Sequence, residues 1–145
     1  MIISVAIASD HAGYELKEII KNYFDMNGIN YKDFGTDSTE SVDYPIYAKK
    51  VCASLQTGES DFGILVCGTG IGMCIAANKQ KNISAACCHD TFSARMARMH
   101  NNANVLTLGN RVIGSGLALD IIKIFLSTDF EGGRHSERVG MYDSL

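Results

Sequence analysis

The chain has a single proline, no C-x-x-C motif, no cluster of basic residues and no long hydrophobic run. Each shortage closes off a class. The five cysteines are odd in number and Cys87 is adjacent to Cys88, which argues against a disulfide framework and a zinc cage and favours a reducing compartment. Lysine and arginine are spread thinly through a chain of net charge −3, which argues against a nucleic-acid surface and for a small partner. The opening stretch MIISVAIASDH has no basic flank and meets charge at Asp10, so neither a signal peptide nor a membrane span is expected. The cytoplasm is the expected location. The lone Pro45 falls near the start of a helix, where a missing N–H costs little. No linker or low-complexity stretch divides the 145 residues, so one domain, 1–145, is expected, large enough to fold without disulfides or metal.

What is present is an alternation of periods. The near-continuous apolar run IISVAIA (2–8) suits a strand buried on both faces, and YELKEIIKNYFDMNG (14–28) has apolar residues at helical spacing closing on Gly28. The same pairing recurs in NYKDFG with DYPIYAKKVCASLQTG, FGILVC with GIGMCIAANKQ, ISAACC with DTFSARMARMHN, and NVLTLG with GSGLALDIIKIFLST. Five strands, each followed by a helix, predict a doubly wound α/β domain with a parallel sheet in the order 2-1-3-4-5 and helices on both faces. Residues 129–145 form a tail with a glycine break and a short charged segment suited to a sixth helix. In such sheets ligands bind at the carboxyl ends of the strands where the order reverses, here between strands 1 and 3. That rule brings Asp10, His11 and Cys67 to one crevice.

The stretch ILVCGTGIGMCIAANK (64–79) places Cys67 where a buried strand meets Gly68, Thr69, Gly70 and Gly72. Exposed N–H groups and a helix N-terminus at such a turn stabilise a thiolate, although a cysteine ending a strand also serves as a small core residue. The spacing G-x-G-x-G is not the dinucleotide fingerprint, because position 73 is Met, and no Lys-Ser or Lys-Thr pair makes it a nucleotide P-loop. A short anion-binding turn remains. Cys52, Cys74 and Cys87 lie in apolar stretches and read as packing. Asp10 and His11 fit either a cap with a surface imidazole or a site. His100 ends a helix that begins at the carboxyl edge, so it should finish about 15 Å away at the opposite edge and needs a second subunit to reach Cys67. Arg134 and Arg138 share a helix face, suited to a phosphate or to solvent with Glu137; Arg111 lies just beyond the fifth strand, and Asp90 reads as a cap.

The segments ASDHAG, DYP, CGTGIGMCIAANK, HNNANVLTLGNRVIG and EGGRHSERV, in this order over essentially the whole chain, resemble the type B ribose-5-phosphate isomerase family, which also holds galactose-6-phosphate and allose-6-phosphate isomerases. The resemblance implies a Rossmann-like fold and an aldose–ketose isomerase without cofactor or metal. It implies a homodimer or dimer of dimers with active sites at the subunit interface, which would account for the placement of His100. By resemblance His100 opens the sugar ring with Asp10 nearby, Cys67 is the base, and Thr69 belongs with the catalytic group. Gly68, Gly70, Ile71 and Gly72 would supply backbone N–H groups to an enediolate. His11, Arg111, Arg134 and Arg138 match phosphate binders, and Tyr44 and Asn101 match substrate-positioning residues. Some members carry a glutamate where this chain has Met73, so the chain fits the cysteine-dependent branch. Ribose 5-phosphate is the expected substrate, with the two hexose phosphates as alternatives. A phosphate-binding module without chemistry, and a redox role with Cys74 as resolving thiol, are the readings from other classes.

Overall fold

Side chains alternate along the strands and thereby sort the core into two layers. In the computed structural model, which describes residues 2–145, β1 (Ser4–Ser9) sends Val5 and Ile7 to one side of the sheet and Ala6 and Ala8 to the other. The larger layer holds Leu16, Ile20 and Phe24, spaced four apart on α1 (Tyr14–Met26), so they line one buried stripe of that helix. Beside it lie α4 (Thr91–Met99) and α5 (Ser115–Ser127), which contribute Ala94, Ala97, Ile121, Ile122 and Phe125. The smaller layer is built by α2 (Tyr44–Gln56) and α3 (Ile71–Asn78) with small residues, Ala48, Cys52 and Ala77, around Val51 and Met73. Pro45 sits in the first turn of α2, and the Asp90 carboxylate caps α4 by accepting the Ser93 N–H at 2.6 Å, both as expected.

The sheet is five-stranded and parallel, in the order β2-β1-β3-β5-β4, where β2 is Asn30–Asp33, β3 Phe62–Cys67, β4 Ala85–Cys87 and β5 Val105–Gly109. The fold class and the switch between β1 and β3 are those expected. The last two strands, however, exchange places relative to 2-1-3-4-5. Their composition explains it: β5 is buried throughout and can be flanked on both sides, whereas β4 is three residues long and only half-buried, which suits an edge. The exchange has a consequence for the helices. Right-handed crossovers put α3, running outward from β3 to β4, on the α2 side, and α4, running back from β4 to β5, on the α1 side against α5. At the edge, the Asn78 side chain donates to Ala85 O at 3.0 Å and accepts from Ala85 N at 2.8 Å.

The loop after β2 is braced from beneath by the buried Lys17, whose Nζ reaches Asp33 Oδ1 at 2.7 Å and Thr36 O at 2.6 Å. Lys21 adds a second contact to Asp33 at 2.8 Å. Burial opposes charge on Asp33, but the bonds from Lys17 and Lys21 outweigh it and hold the carboxyl below the usual carboxylate range. The tail carries α6 (Arg134–Val139), as expected, and a further single turn at Tyr142–Ser144. Among the described residues no helix is long and apolar enough to cross a membrane.

Candidate active site

Cys67 ends β3 with 5% of its surface exposed, and its Sγ accepts the Gly70 N–H at 3.1 Å. The bond is possible because the chain reverses at Gly70, whose φ of +78° favours glycine. A Cβ there would lie 2.9 Å from the Leu108 carbonyl carbon, so the turn rests directly on β5. Three further bonds strap it down: Thr107 Oγ1 donates to Gly70 O at 2.8 Å, Asn110 N to Cys67 O at 2.9 Å, and Arg111 N to Gly68 O at 3.0 Å. The sulfur thus sits beside an N–H donor at the N-terminus of α3. Three of the other thiols are disfavoured as thiolates. Burial pushes Cys52 up to about 11 and Cys88 up to about 12, and it also raises Cys74.

The expected set of four N–H donors narrows. The Gly70 N–H serves the sulfur, and the Ile71 N–H is taken by Thr69 Oγ1 at 3.2 Å. Gly72 lies in the first turn of α3, where the helix itself supplies no acceptor for its N–H. Gly72 has a second role, since a Cβ on it would fall 2.6 Å from Tyr44 Cζ and 3.0 Å from its hydroxyl. The glycine lets the Tyr44 ring lie across the start of α3. Met73, by contrast, is buried between α2 and α3 and faces the core.

The exit of β1 closes the same edge. Asp10 is buried and its Oδ1 accepts the Gly13 N–H at 3.1 Å, while Gly13 is so close to β3 that a Cβ would sit 2.3 Å from Val66 O. Asn110 Nδ2 donates to Ala12 O at 2.9 Å and ties this loop to the exit of β5. His11 accepts the Val42 N–H on Nδ1 at 3.2 Å, which leaves the proton of the neutral ring on Nε2. The exposed Arg111 guanidinium lies over Gly68, with one nitrogen 3.2 Å from where a Cβ would be. Asp10, His11, Tyr44, Cys67, Thr69 and Arg111 therefore share one edge.

His100, Asn101, Arg134 and Arg138 lie at the other edge. His100 caps the C-terminus of α4, a ride of about 14 Å from Thr91. Asn101 Nδ2 donates to the Tyr142 hydroxyl at 3.2 Å, and both arginines are exposed on α6. Here the structure adds a residue that the sequence reading passed over. His135 stacks on His100, ring centroids 4.3 Å apart and planes within 12°. Glu131 Oε2 is 4.0 Å from His100 Nε2 and Oε1 is 4.0 Å from His135 Nε2. The four-residue spacing of Glu131 and His135, beside Arg134, was the available signal. The donor atoms of this trio lie within 4.8 Å of one another, but stacked rings carry their lone pairs side by side and do not converge on a cation. Burial, then the neighbouring His100, pushes the His135 pKa down.

A parallel α/β sheet with a thiol and a glycine turn at its switch point defines a class of proteins that take small molecules at the carboxyl ends of their strands. The chain belongs to the Ribose/Galactose Isomerase family, whose model matches residues 5–142. It is 45% identical over 135 residues to ribose-5-phosphate isomerase B of Escherichia coli, covering 93% of this chain and 91% of that protein. It is also 45% identical over 146 residues to D-erythrulose-4-phosphate isomerase of Pectobacterium atrosepticum, covering 98% and 96%. The crystal structure of a ribose 5-phosphate isomerase from Thermotoga maritima superposes with a TM-score of 0.97 at 56% identity, covering 99% of each chain. The protein is a sugar-phosphate isomerase of this family.

Proposed function

We propose that the protein interconverts ribose 5-phosphate and ribulose 5-phosphate through an enediolate, with Cys67 as the base and His100 opening the furanose ring. The observation that carries this reading is the Gly70 N–H on Cys67 Sγ at 3.1 Å, inside a turn whose next residues open a helix. A thiolate held there removes the proton from C2 of the open aldose. The electron pair moves toward O1, the Gly72 N–H stabilises the developing oxyanion, the O2–H proton passes to O1, and the proton held on the sulfur returns at C1 to leave the carbonyl at C2. The reaction is redox-neutral overall and needs no external electron acceptor. Arg111 and His11 flank the turn, and with Arg134 and Arg138 they supply cationic and N–H partners for a phosphate. Phosphate binding far from C1 and C2 holds the reacting carbons against the sulfur.

The site is completed by a second copy of the chain. Cys67 and His100 lie at opposite edges of one sheet, so one protomer contributes the thiol and its partner the ring-opening histidine. Exposed apolar side chains near the thiol edge, Ile71, Ile75 and Phe92, suit coverage by that copy. The purified protein should convert ribose 5-phosphate in the presence of a chelator, and Cys67→Ala should abolish turnover while sparing binding of the sugar phosphate. Undiminished turnover by Cys67→Ala would overturn the assignment of the base. Parallel assays with allose 6-phosphate and galactose 6-phosphate rank the substrates. Binding of all three without turnover would leave a binding module.

A further inference from the structure

His100, Glu131 and His135 form a compact group of titratable side chains away from the thiol, and only His100 has so far been given work. We propose that Glu131 is the positioning residue for ring opening: its carboxylate spans the Nε2 edges of both imidazoles and holds the stacked pair at one proton. The inference rests on the reading of His100 as the ring-opening group.

Three observations carry it. First, the rings stack at 4.3 Å and within 12°, a separation at which two imidazolium charges repel strongly, so the pair accepts one proton readily and a second only with difficulty. Second, the two rings differ in burial: His135 is buried and His100 is 40% exposed on its side chain, so burial opposes charge on His135. Third, the backbone of Glu131 is anchored beside both rings. Its N–H donates to Met99 O at 3.0 Å, one residue before His100, and it stands four residues before His135. At 4.0 Å from each Nε2 its carboxylate acts as a shared counter-charge.

The neighbouring charges do not take over this role. Arg134 and Arg138 on α6 oppose protonation of His135. Arg98 on α4 is turned away, donating to Ala103 O and Thr128 O. Among the described residues, Glu131 is thus the one carboxylate within 4.0 Å of both rings. Ring opening needs such a pair because a proton leaves the anomeric hydroxyl as another arrives on the ring oxygen. The O1–H and C1–ring-oxygen bonds break, the C1 carbonyl and a new O–H form, and no proton is gained or lost overall.

The test separates ring opening from proton abstraction. Ribulose 5-phosphate cannot close to a furanose, because its O5 is phosphorylated, so solvent-deuterium exchange at its C1 requires the base but no ring opening. In Glu131→Gln, conversion of ribose 5-phosphate should fall about tenfold while this exchange falls less than twofold. The midpoint of the ribose pH profile should move to lower pH, since loss of the carboxylate removes what favours the imidazolium. Glu131→Asp should keep the wild-type midpoint. Equal loss of both activities, or an unmoved midpoint in Glu131→Gln, overturns the proposal. A His100→Asn protein that loses exchange as fully as conversion would instead overturn the role of His100, and wild-type protein inert in both assays would overturn the isomerase reading itself.

Discussion

The two edges of the sheet are built by different means. At the thiol edge the backbone does the positioning: Gly13 lies on Val66 O, Gly70 on Leu108, Gly72 under the Tyr44 ring, and Gly109 against Thr69. At the other edge side chains do it, through a ring stack, an exposed carboxylate and the bond from Asn101 to Tyr142, on a tail beyond the last strand. The difference fits the tasks proposed for the two edges. Abstraction of a carbon-bound proton requires the base to be held within a fraction of an ångström of its target, and backbone contacts without intervening rotamers provide that. A group that passes protons between oxygens tolerates a looser mounting.

Experiments that break the rigid edge should have the largest effects. Cys67→Ala should lower deuterium exchange at C1 of ribulose 5-phosphate by about a thousandfold or more, against a loss of less than tenfold for His100→Asn in the same assay. Mixing equal amounts of these two inactive proteins, after dissociation and reassociation, should recover about a quarter of wild-type isomerase activity, because half of the dimers are mixed and each carries one intact site. No recovery would place both residues in one protomer's site. Next in size, Gly13→Ala should cost about 1–3 kcal/mol in chemical denaturation, as the added methyl meets the Val66 carbonyl. Gly133→Ala, at the loose edge, has nothing within 4 Å of its Cβ, so only backbone strain is expected, about 1–3 kcal/mol for a φ of +58° with a ψ of −132°.

The smallest effect concerns pH. His135 has its pKa pushed below the ordinary 6.5 in the folded chain, so the unfolded or undocked form binds the proton more readily. Docking of α6 is therefore strongest above about pH 6.5 and weakens as pH falls below it. Amide exchange along 134–140 should accelerate, relative to the intrinsic rate, between pH 7.5 and pH 5. The strap at Lys17 should hold through that range. The Asp33 carboxyl is held below its ordinary value, so its stabilisation is present above about pH 4 and is lost only in more acidic solution.

Much of the thiol edge was legible in the chain because it is local. Cys67, the glycines after it and the apolar run before it are contiguous, and the switch-point rule adds Asp10 and His11 once the first three strands are ordered. The exchange of β4 and β5 was less visible, since ISAACC and NVLTLG are both apolar runs and only the number of residues that pair distinguishes an edge from a centre. The partner of His100 was invisible for another reason. His135 is 35 residues away, and its stack depends on where the tail returns after α5. The donors of the turn show a third limit: glycine spacing announces exposed N–H groups, but not that Thr69 Oγ1 and Cys67 Sγ claim two of them.

The Asn78 side chain at Ala85 bears on how copies of this molecule meet. An unpaired strand at the border of a sheet invites another strand, and repeated addition leads to fibres. Here an amide occupies both backbone groups that Ala85 turns outward, mimicking a neighbour without being one. The three-residue border is too short to offer a continuous run around that plug. Open-ended growth along that border of the sheet is thereby discouraged.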